Sequence, residues 1–155
     1  MTDGAVTVLE GSYADIDGVM RVMNSSFDPC YGEAWTAPQC ASLLPLPGVW
    51  LSLARRGDEI VGFTLSRHVA GEAELLLLAV SAQEQNRGIG QLLLDDFIRA
   101  ARSRGANGLH LEVRDGNGAA RLYHRAGFTM AGRRKNYYSG RDGQIYDALT
   151  LARQA

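Results

Sequence analysis

The spacing of apolar residues changes along the chain between the periods that are typical of helices and of strands. Residues 89–104 place apolar side chains at helical intervals and charged side chains elsewhere, which predicts an amphipathic helix. Residues 109–114 alternate strictly, which predicts a strand whose polar parity carries Glu112. The run 75–80 is apolar on both parities and predicts a central strand that is covered on both faces.

The same patterns divide the rest of the chain into short elements. Strands are predicted at Val6–Glu10, 49–54, 60–69, Glu72–Val80, 109–114, 129–138 and 145–151. Helices are predicted at 14–26, 36–44, 89–104 and 118–125. Ser12 and Thr36 are suited to cap the first two helices, and residues 56–59 are typical of a hairpin turn. This order predicts an α/β fold with a mixed sheet, in which residues 1–155 form a single domain.

Composition excludes several classes of function. A net charge of −1 over 155 residues provides no positive field of the kind that binds nucleic acid. The first residues lack the basic start and apolar core of a signal peptide, and no apolar run approaches the about 20 residues of a membrane helix. Cys30 and Cys40 lack metal-binding spacing, so we expect reduced thiols. These features predict a cytoplasmic protein with no metal, no membrane and no nucleic-acid partner.

A glycine-rich loop, Gln85-Asn86-Arg87-Gly88-Ile89-Gly90, lies between the central strand and the long helix. Two close glycines let backbone N–H groups approach an anion, and the unpaired N–H groups of a first helical turn favour phosphate. Dinucleotide-binding folds also place glycines between a strand and a helix, but there the glycines follow the strand directly. Here seven residues separate Val80 from Gly88, and Leu93 occupies the third glycine position. The loop therefore predicts a phosphate site of another kind.

Four motifs resemble the GNAT superfamily of N-acetyltransferases. Gln-x-x-Gly-x-Gly after an apolar strand is similar to the acetyl-CoA loop of that superfamily. Residues 111–114 and then 119–128 resemble its next strand and its helix with the pattern L-Y-x-x-x-G-F. Residues 133–138, followed by Asp142-Gly143 and Asp147-Ala148, resemble the branch that acetylates the N-terminal alanine of ribosomal protein S18.

The resemblance implies a fold, a donor and a reaction. The fold is one GNAT-like domain with a mixed, mostly antiparallel sheet of six to seven strands and about four flanking helices. The donor is acetyl-CoA, and the acceptor amine attacks it directly in a ternary complex. The residues that the resemblance places at the donor are Leu78, Ala79, Val80, Gln85, Asn86, Arg87, Gly88, Ile89, Gly90, Gln91 and Asn117.

Two residues are candidates for the proton transfers. The resemblance places the base at Glu112, and the alternative is an exposed strand carboxylate paired with Arg114. Tyr123, in the L-Y-x-x-x-G-F pattern, is the candidate acid for the leaving thiolate, and the alternative is an aromatic anchor for the helix. The backbone N–H of Val80 is a candidate to polarise the thioester carbonyl. Asn117 stands six residues before Tyr123, where the family has its asparagine seven before, so a contact with CoA and its absence are both open.

The acceptor is less determined than the donor. Trp35, Tyr137 and Tyr138 are the candidate residues of the acceptor cleft, because the resemblance implies that Asn136-Tyr137-Tyr138 holds the substrate's N-terminus, and the alternative is ordinary strand aromatics. Glu33 and Trp35 lie in an irregular, proline-containing stretch suited to a substrate loop. A protein α-amine has a pKa of about 7.7–8.0, so about a tenth is neutral at pH 7 and demands little of a base. The resemblance to the S18 branch implies a protein N-terminus, which is the leading hypothesis. A small amine such as an amino acid, polyamine or antibiotic, and a non-catalytic module that binds acetyl-CoA, are the alternatives.

Overall fold

One seven-stranded sheet organises the computed structural model, which describes residues 4–28 and 31–155. The strands are β1 (Val6–Glu10), β2 (Val49–Arg56), β3 (Glu59–Val69), β4 (Glu72–Val80), β5 (Gly108–Arg114), β6 (Thr129–Ser139) and β7 (Ile145–Gln154). Their order across the sheet is β1-β2-β3-β4-β5-β7-β6. Every neighbouring pair is antiparallel except β4 and β5, which are parallel. The predicted mixed, mostly antiparallel sheet is thus confirmed.

Four α-helices flank this sheet: α1 (Ile16–Ser26), α2 (Ala37–Leu43), α3 (Ile89–Ser103) and α4 (Ala120–Arg125). Thr36 caps α2 as predicted, through a reciprocal capping box with Gln39. The cap predicted for the first helix was wrong in one respect. Ser12 caps a 3₁₀ turn, Tyr13–Asp15, because Asp15 closes a capping box with it at 2.9 Å, and α1 begins only after that turn.

The first hairpin is tighter than the sequence predicted. Arg56 pairs with Glu59, so the turn contains only Gly57 and Asp58, and Gly57 adopts a φ of 60°. Such a two-residue turn needs a positive φ, which glycine adopts without steric cost. Of the two cysteines, Cys40 is buried on α2, and burial raises the pKa of its thiol. Cys30 lies outside the described residues.

The helices cover opposite faces of the sheet. Apolar residues of α1 and α2, with Met23 at their centre, pack against Leu53 and Phe63. On the other face α3 and α4 pack against β4, β5 and β7, with Phe97 and Phe128 fully buried there. Each helix is held by its apolar stripe, which accounts for the helical spacing in the sequence. Among the described residues, no helix is long and apolar enough to cross a membrane.

The parallel pair β4 and β5 separates before either strand ends. Pairing between them stops at Leu75 and Leu111, whereas β4 continues along β3 as far as Val80 and β5 continues along β7 as far as Arg114. At the same level the β3–β4 register shifts past Leu76. A bulge of this kind bends and twists its strand, so the last part of β4 turns away from β5. The two strands therefore splay apart in the middle of the sheet.

Candidate active site

The splay opens into a cleft of about 900 Å³ that collects nearly all the predicted site residues. Its walls come from the separated ends of β4 and β5, the loop before α3 and the start of α4. Strand β6 and the segment that precedes α2 complete the lining. Arg87 alone among the predicted residues lies outside the lining. The predicted residues that line the cleft are Trp35, Leu78, Ala79, Val80, Gln85, Asn86, Gly88, Ile89, Gly90, Gln91, Glu112, Asn117, Tyr123, Tyr137 and Tyr138.

On the donor side, the last residues of β4 form an internal edge of the sheet. Beyond Leu75 no β5 residue pairs with them, so about half of the backbone groups from Leu76 to Val80 face the cleft. Such a row of N–H and C=O groups is suited to pair with the amide groups of an extended ligand. An extended ligand that continues past Val80 meets the glycine loop.

The glycine loop delivers the start of α3 to the cleft. Asn86 and Gly88 adopt left-handed φ values of 63° and 84°, and Gly88 is the N-cap residue of α3. The first α3 hydrogen bond runs from Leu92 N–H to the Gly88 carbonyl at 3.1 Å. The N–H groups before Leu92 therefore have no carbonyl partner within the helix and are available to an anion.

Two polar side chains of the loop have partners within the protein. Gln85 Nε2 donates to the Val80 carbonyl at 3.1 Å and holds the loop against the strand end. Arg87 is 55% exposed and lies 3.6 Å from Glu84, which in turn binds Arg56 at 2.6 Å. Both side chains thus support the loop, and their contact with a donor stays a prediction.

Glu112 lies on β5 one residue after the last pair with β4. Its Oε1 is 3.1 Å from Arg134 Nε, whereas its buried Oε2 has no hydrogen-bond partner among the described residues. Burial raises the pKa of Glu112, nearby Glu74 adds to the rise, and Arg134 and His110 oppose it. A buried carboxylate oxygen without a partner is costly and is therefore suited to accept a proton or an ammonium group.

The alternative partner predicted for Glu112 was wrong. Arg114, two residues along the same strand, forms an ion pair with Glu33, with Nε 3.2 Å from Oε1. Glu112 pairs with Arg134 of β6 instead. Sequence spacing alone does not identify these partners because both lie on segments that are distant along the chain.

Tyr123 is both a packing residue and a cleft residue. It is 6% exposed on α4 and packs edge to face against Phe128, with ring centroids 6.2 Å apart. Burial raises the pKa of Tyr123 well above its usual range, and the charge of Glu33 adds to the rise. The hydroxyl therefore stays protonated at neutral pH and is available as a hydrogen-bond donor.

Asn117 uses both ends of its amide inside the protein. Nδ2 donates to Glu33 Oε2 at 2.8 Å, and Oδ1 accepts from the N–H of Ala119 at 2.8 Å, just before α4. The side chain lines the cleft while it tethers Glu33 to the beginning of α4. Its predicted contact with CoA stays a prediction.

The aromatic wall of the cleft depends on a break in β6. Between Arg134 and Tyr138 the β6–β7 register shifts, and Asn136 adopts a left-handed φ of 58°. Neighbouring strand residues normally face opposite sides of a sheet. Here Tyr137 and Tyr138 both line the cleft, with ring centroids 5.0 Å apart, and Trp35 lines it as well. Burial raises the pKa of Tyr138 well above its usual range.

Several cleft residues were not among the sequence candidates. Glu74 faces the cleft from β4, and Tyr31, Glu33 and Arg114 form a contact group beside Tyr123. Arg114 shares the strand parity of Glu112, which is a usable signal. The irregular segment suited to a substrate loop includes Glu33, but the contacts that Tyr31 and Glu33 make follow from the tertiary structure.

Comparison with known proteins matches these features to one family. A family model described as Acetyltransferase (GNAT) family matches residues 16–128. The [ribosomal protein bS18]-alanine N-acetyltransferase of Haemophilus influenzae is 37% identical over 95 residues, which are 61% of this chain and 65% of that protein. The enzyme of the same name from Salmonella typhimurium is 40% identical over 96 residues, 61% of this chain and 64% of that protein. The chain thus aligns over just under two thirds of these relatives' length.

The structural comparison covers more of the chain. The crystal structure of the ribosomal-protein-S18-alanine N-acetyltransferase from Escherichia coli matches with a TM-score of 0.85 and 28% identity. It covers 97% of this chain and 94% of that one. The family model itself extends over well over half of the sequence, from α1 to Phe128, and includes the central strand, the glycine loop and Tyr123. The chain belongs to the acetyltransferase (GNAT) family.

Proposed function

We propose that this chain transfers the acetyl group of acetyl-CoA to the N-terminal α-amine of a protein, with ribosomal protein bS18 as the first acceptor to test. One observation carries the proposal. Glu112, with its unpartnered buried oxygen, lies where β4 and β5 part and lines the same cleft as the glycine loop, Tyr137 and Tyr138. A cytoplasmic location, where ribosomal proteins are made, is part of the proposal.

The donor side suits acetyl-CoA in both shape and charge. The free edge of β4 would offer amide partners to the pantetheine arm, and the unpaired N–H groups at the start of α3 would hold the pyrophosphate. Arg121 and Arg125 of α4 line the same cleft and add positive charge for phosphate groups. When bound, acetyl-CoA supplies the acetyl group as an activated thioester. The N–H of Val80 is the candidate group to polarise its carbonyl.

Glu112 is the proposed base. The acceptor enters as an ammonium group, which must lose a proton before or during attack by its nitrogen. A carboxylate whose pKa is raised by burial is a better base near neutral pH than an ordinary one. The unpartnered Oε2 of Glu112 provides the accepting atom.

Tyr123 is proposed to donate a hydrogen bond to the sulfur that leaves. A thiol has an ordinary pKa of about 8.5. Because the pKa of Tyr123 is raised well above its usual range, complete proton transfer from its hydroxyl to a thiolate is uphill. Hydrogen bonding to the developing negative charge is not subject to that cost. The hydroxyl thus stabilises the departure of the thiolate, which takes its proton finally from solvent or from protonated Glu112.

The charges of the cleft bear on the class of acceptor. Apart from the proposed base Glu112, three of its carboxylates have arginine partners at 3.2 Å or less: Glu33, Glu74 and Glu84. A polyamine binds best to unpaired carboxylates, so this pairing argues against that acceptor. The wall of Trp35, Tyr137 and Tyr138 instead presents apolar faces with polar tips, which suit the first residues of a peptide.

The test follows release of the CoA thiol with a panel of acceptors. The panel contains a peptide with the N-terminal residues of bS18 beginning at its alanine, the same peptide with a blocked α-amine, and a set of small amines. We expect turnover with the free peptide and none with the blocked one, with the acetyl group located on the α-nitrogen by mass spectrometry. Turnover with small amines alone would overturn the protein acceptor. Tight acetyl-CoA binding without turnover on any acceptor would leave a binding module.

A further inference from the structure

Arg114 is enclosed by groups from separate parts of the chain. Its Nε lies 3.2 Å from Glu33 Oε1, and its guanidinium carbon lies 3.7 Å from the ring centroid of Tyr31 and 5.7 Å from that of Tyr146. The two aromatic rings pack edge to face at 5.2 Å. The side chains of Arg114 and Glu33 are only 11% and 10% exposed. This is a well-desolvated ion pair between aromatic rings.

Glu33 is bound from a second direction. Asn117 Nδ2 donates to its Oε2 at 2.8 Å, while Asn117 Oδ1 accepts from the N–H of Ala119. Both oxygens of Glu33 therefore have donors, one on β5 and one at the beginning of α4. The carboxylate is committed to these two contacts and is not a free site for the acceptor ammonium.

Tyr31 lies in a 3₁₀ turn, but the described segment 31–36, which carries Tyr31, Glu33 and Trp35, contains no α-helix or strand. Its position therefore depends on side-chain contacts, and the strongest of these in the described part of the segment run to Arg114 and Asn117. Trp35, two residues after Glu33, lines the cleft on the acceptor side. Holding Glu33 thus holds Trp35.

We propose that Arg114 is a positioning residue which, through Glu33 and Tyr31, fixes the acceptor-side wall of the cleft and thereby sets affinity for the acceptor rather than for acetyl-CoA. A guanidinium suits this task because it donates from a rigid plane and stacks on aromatic rings at the same time. A lysine ammonium keeps the charge but loses the planar stacking. Removal of either partner leaves a buried charge without its counter-ion, so the wall loosens.

The kinetic test rests on the proposed acetyl transfer. For Arg114→Lys and Glu33→Gln we expect the KM for the acceptor peptide to rise by about fivefold or more, with the KM for acetyl-CoA changed less than about twofold. Because both changes break one contact, the double variant should raise the acceptor KM little beyond either single one. Equal rises in the two KM values would overturn the proposal, since they would indicate a general loss of structure.

Arg104→Lys is the matched control. Arg104 also stacks on an aromatic ring, at 4.0 Å from Trp50, and also pairs with a glutamate, Glu10 at 3.4 Å, but it lies outside the cleft lining. We expect unchanged values of both KM for this variant. An acceptor KM that rises as it does for Arg114→Lys would count against a specific role of Arg114.

A second test needs no acceptor and separates this inference from the proposed function. The chain has two tryptophans, so Trp50→Phe leaves Trp35 as the single reporter. In that background we expect Arg114→Lys and Arg114→Met to increase acrylamide quenching of Trp35 fluorescence by about twofold, at a temperature where both variants stay folded by circular dichroism. Unchanged quenching in both variants would overturn the inference even if turnover is found. Increased quenching would support it even if every acceptor fails.

Discussion

The backbone N–H of Asn136 donates a 3.0 Å hydrogen bond to Oδ1 of Asp147, at the residue where β6 turns into the left-handed region. The other oxygen of Asp147 lies 2.9 Å from Arg133. This contact fixes the register shift in β6 after which Tyr137 and Tyr138 both line the cleft. An aspartate on β7 therefore shapes the aromatic wall without touching the cleft itself.

Asp147→Ala is expected to weaken acceptor binding more than donor binding. Without the carboxylate, the left-handed Asn136 loses its hydrogen bond, and the two tyrosines no longer share one side. We expect the acceptor KM to rise by about fivefold or more, because a hydrogen bond from a backbone N–H to a carboxylate is stronger than one between neutral groups. The KM for acetyl-CoA should not change. Asp147→Asn keeps an accepting oxygen and is the control, and an equal effect in both variants would contradict the prediction.

The contribution of Asp147 at the β6 register shift to stability is also expected to be insensitive to pH across the neutral range. The N–H of Asn136 and then Arg133 lower the pKa of Asp147. A lowered pKa means that the contribution to stability is present above the ordinary aspartate pKa, about 3.9, and is lost as the pH falls through the lower folded value. The difference in melting temperature between wild type and Asp147→Asn should thus be constant from about pH 6 to 9 by differential scanning fluorimetry. A melting-temperature difference that changes within this pH range would contradict the prediction.

Glu112→Gln is expected to lose activity and gain stability. A general base contributes about 10²- to 10⁴-fold to rate, so turnover should fall by that order. Burial raises the pKa of Glu112, so its charged form costs stability as the pH rises through the folded pKa, and at neutral pH the neutral amide removes that cost. Its partner Arg134 is 60% exposed and adds little in return.

The stability half of that prediction is checked by melting curves. We expect a higher melting temperature for Glu112→Gln than for wild type at pH 7.5, and no difference below about pH 3, where the wild-type carboxyl is neutral in both states. Glu59→Gln, at an exposed position in the first hairpin, should change neither activity nor melting. A variant that melts lower at pH 7.5 would show that the Arg134 pair outweighs the desolvation of Glu112.

Tyr123→Phe is expected to lower turnover while acetyl-CoA binding stays intact. The substitution keeps the ring that packs on Phe128 and removes only the hydroxyl. Loss of a hydrogen bond to a charged group of about 1.5–3 kcal/mol corresponds to a fall in turnover of about 10- to 100-fold. Isothermal titration with acetyl-CoA provides the comparison. Unchanged turnover would return Tyr123 to a purely packing role.

The two loop glycines are expected to differ in their tolerance of alanine. Gly88 has a φ of 84°, a conformation that costs an alanine about 1–2 kcal/mol, although nothing lies within 4 Å of an added methyl group. Gly88→Ala should therefore lower the free energy of unfolding and weaken CoA binding. An added methyl at Gly90 meets only the end of the Leu122 side chain at 3.3 Å, and alanine favours the helix.

Urea unfolding and titration with CoA check this pair of variants. We expect Gly90→Ala to bind CoA within about twofold of wild type and to unfold at the same or higher urea concentration. The reverse ranking of the two variants would show that space at the start of α3 matters more than its backbone conformation.

Local sequence determined most of the element order and the glycine loop before α3. The capping pattern at Thr36, the apolar stripe of α3 and the glycines before it each act through neighbours in the chain, so their consequences are readable without a fold. Element ends were predicted less well. Ser12 caps a 3₁₀ turn rather than α1. Whether the first turn after a cap is 3₁₀ or α-helical depends on packing as well as on the capping residue.

The partners of charged residues were the least predictable feature. Arg114 was a candidate partner of Glu112 because the two share a strand face, yet it binds Glu33, which is 81 residues away along the chain. Its place between Tyr31 and Tyr146 likewise joins segments that no pattern relates. Ion pairs between distant segments form only when the fold has brought the groups together, so spacing carries no information about them.

Two features show most clearly what the sequence did not determine. They are the opening between β4 and β5 and the position of Tyr137 and Tyr138 on one wall of the cleft. The sequence by itself determined a central apolar strand and a glycine loop before a long helix, because periodicity and glycine placement act over a few residues, whereas Glu112 and Tyr123 were identified through the resemblance of their motifs to the GNAT family. Only the tertiary structure decided that β4 parts from β5 after Leu75 and that β6 breaks at Asn136. Both are shifts in pairing between strands, and register is set by contacts across the sheet rather than along the chain.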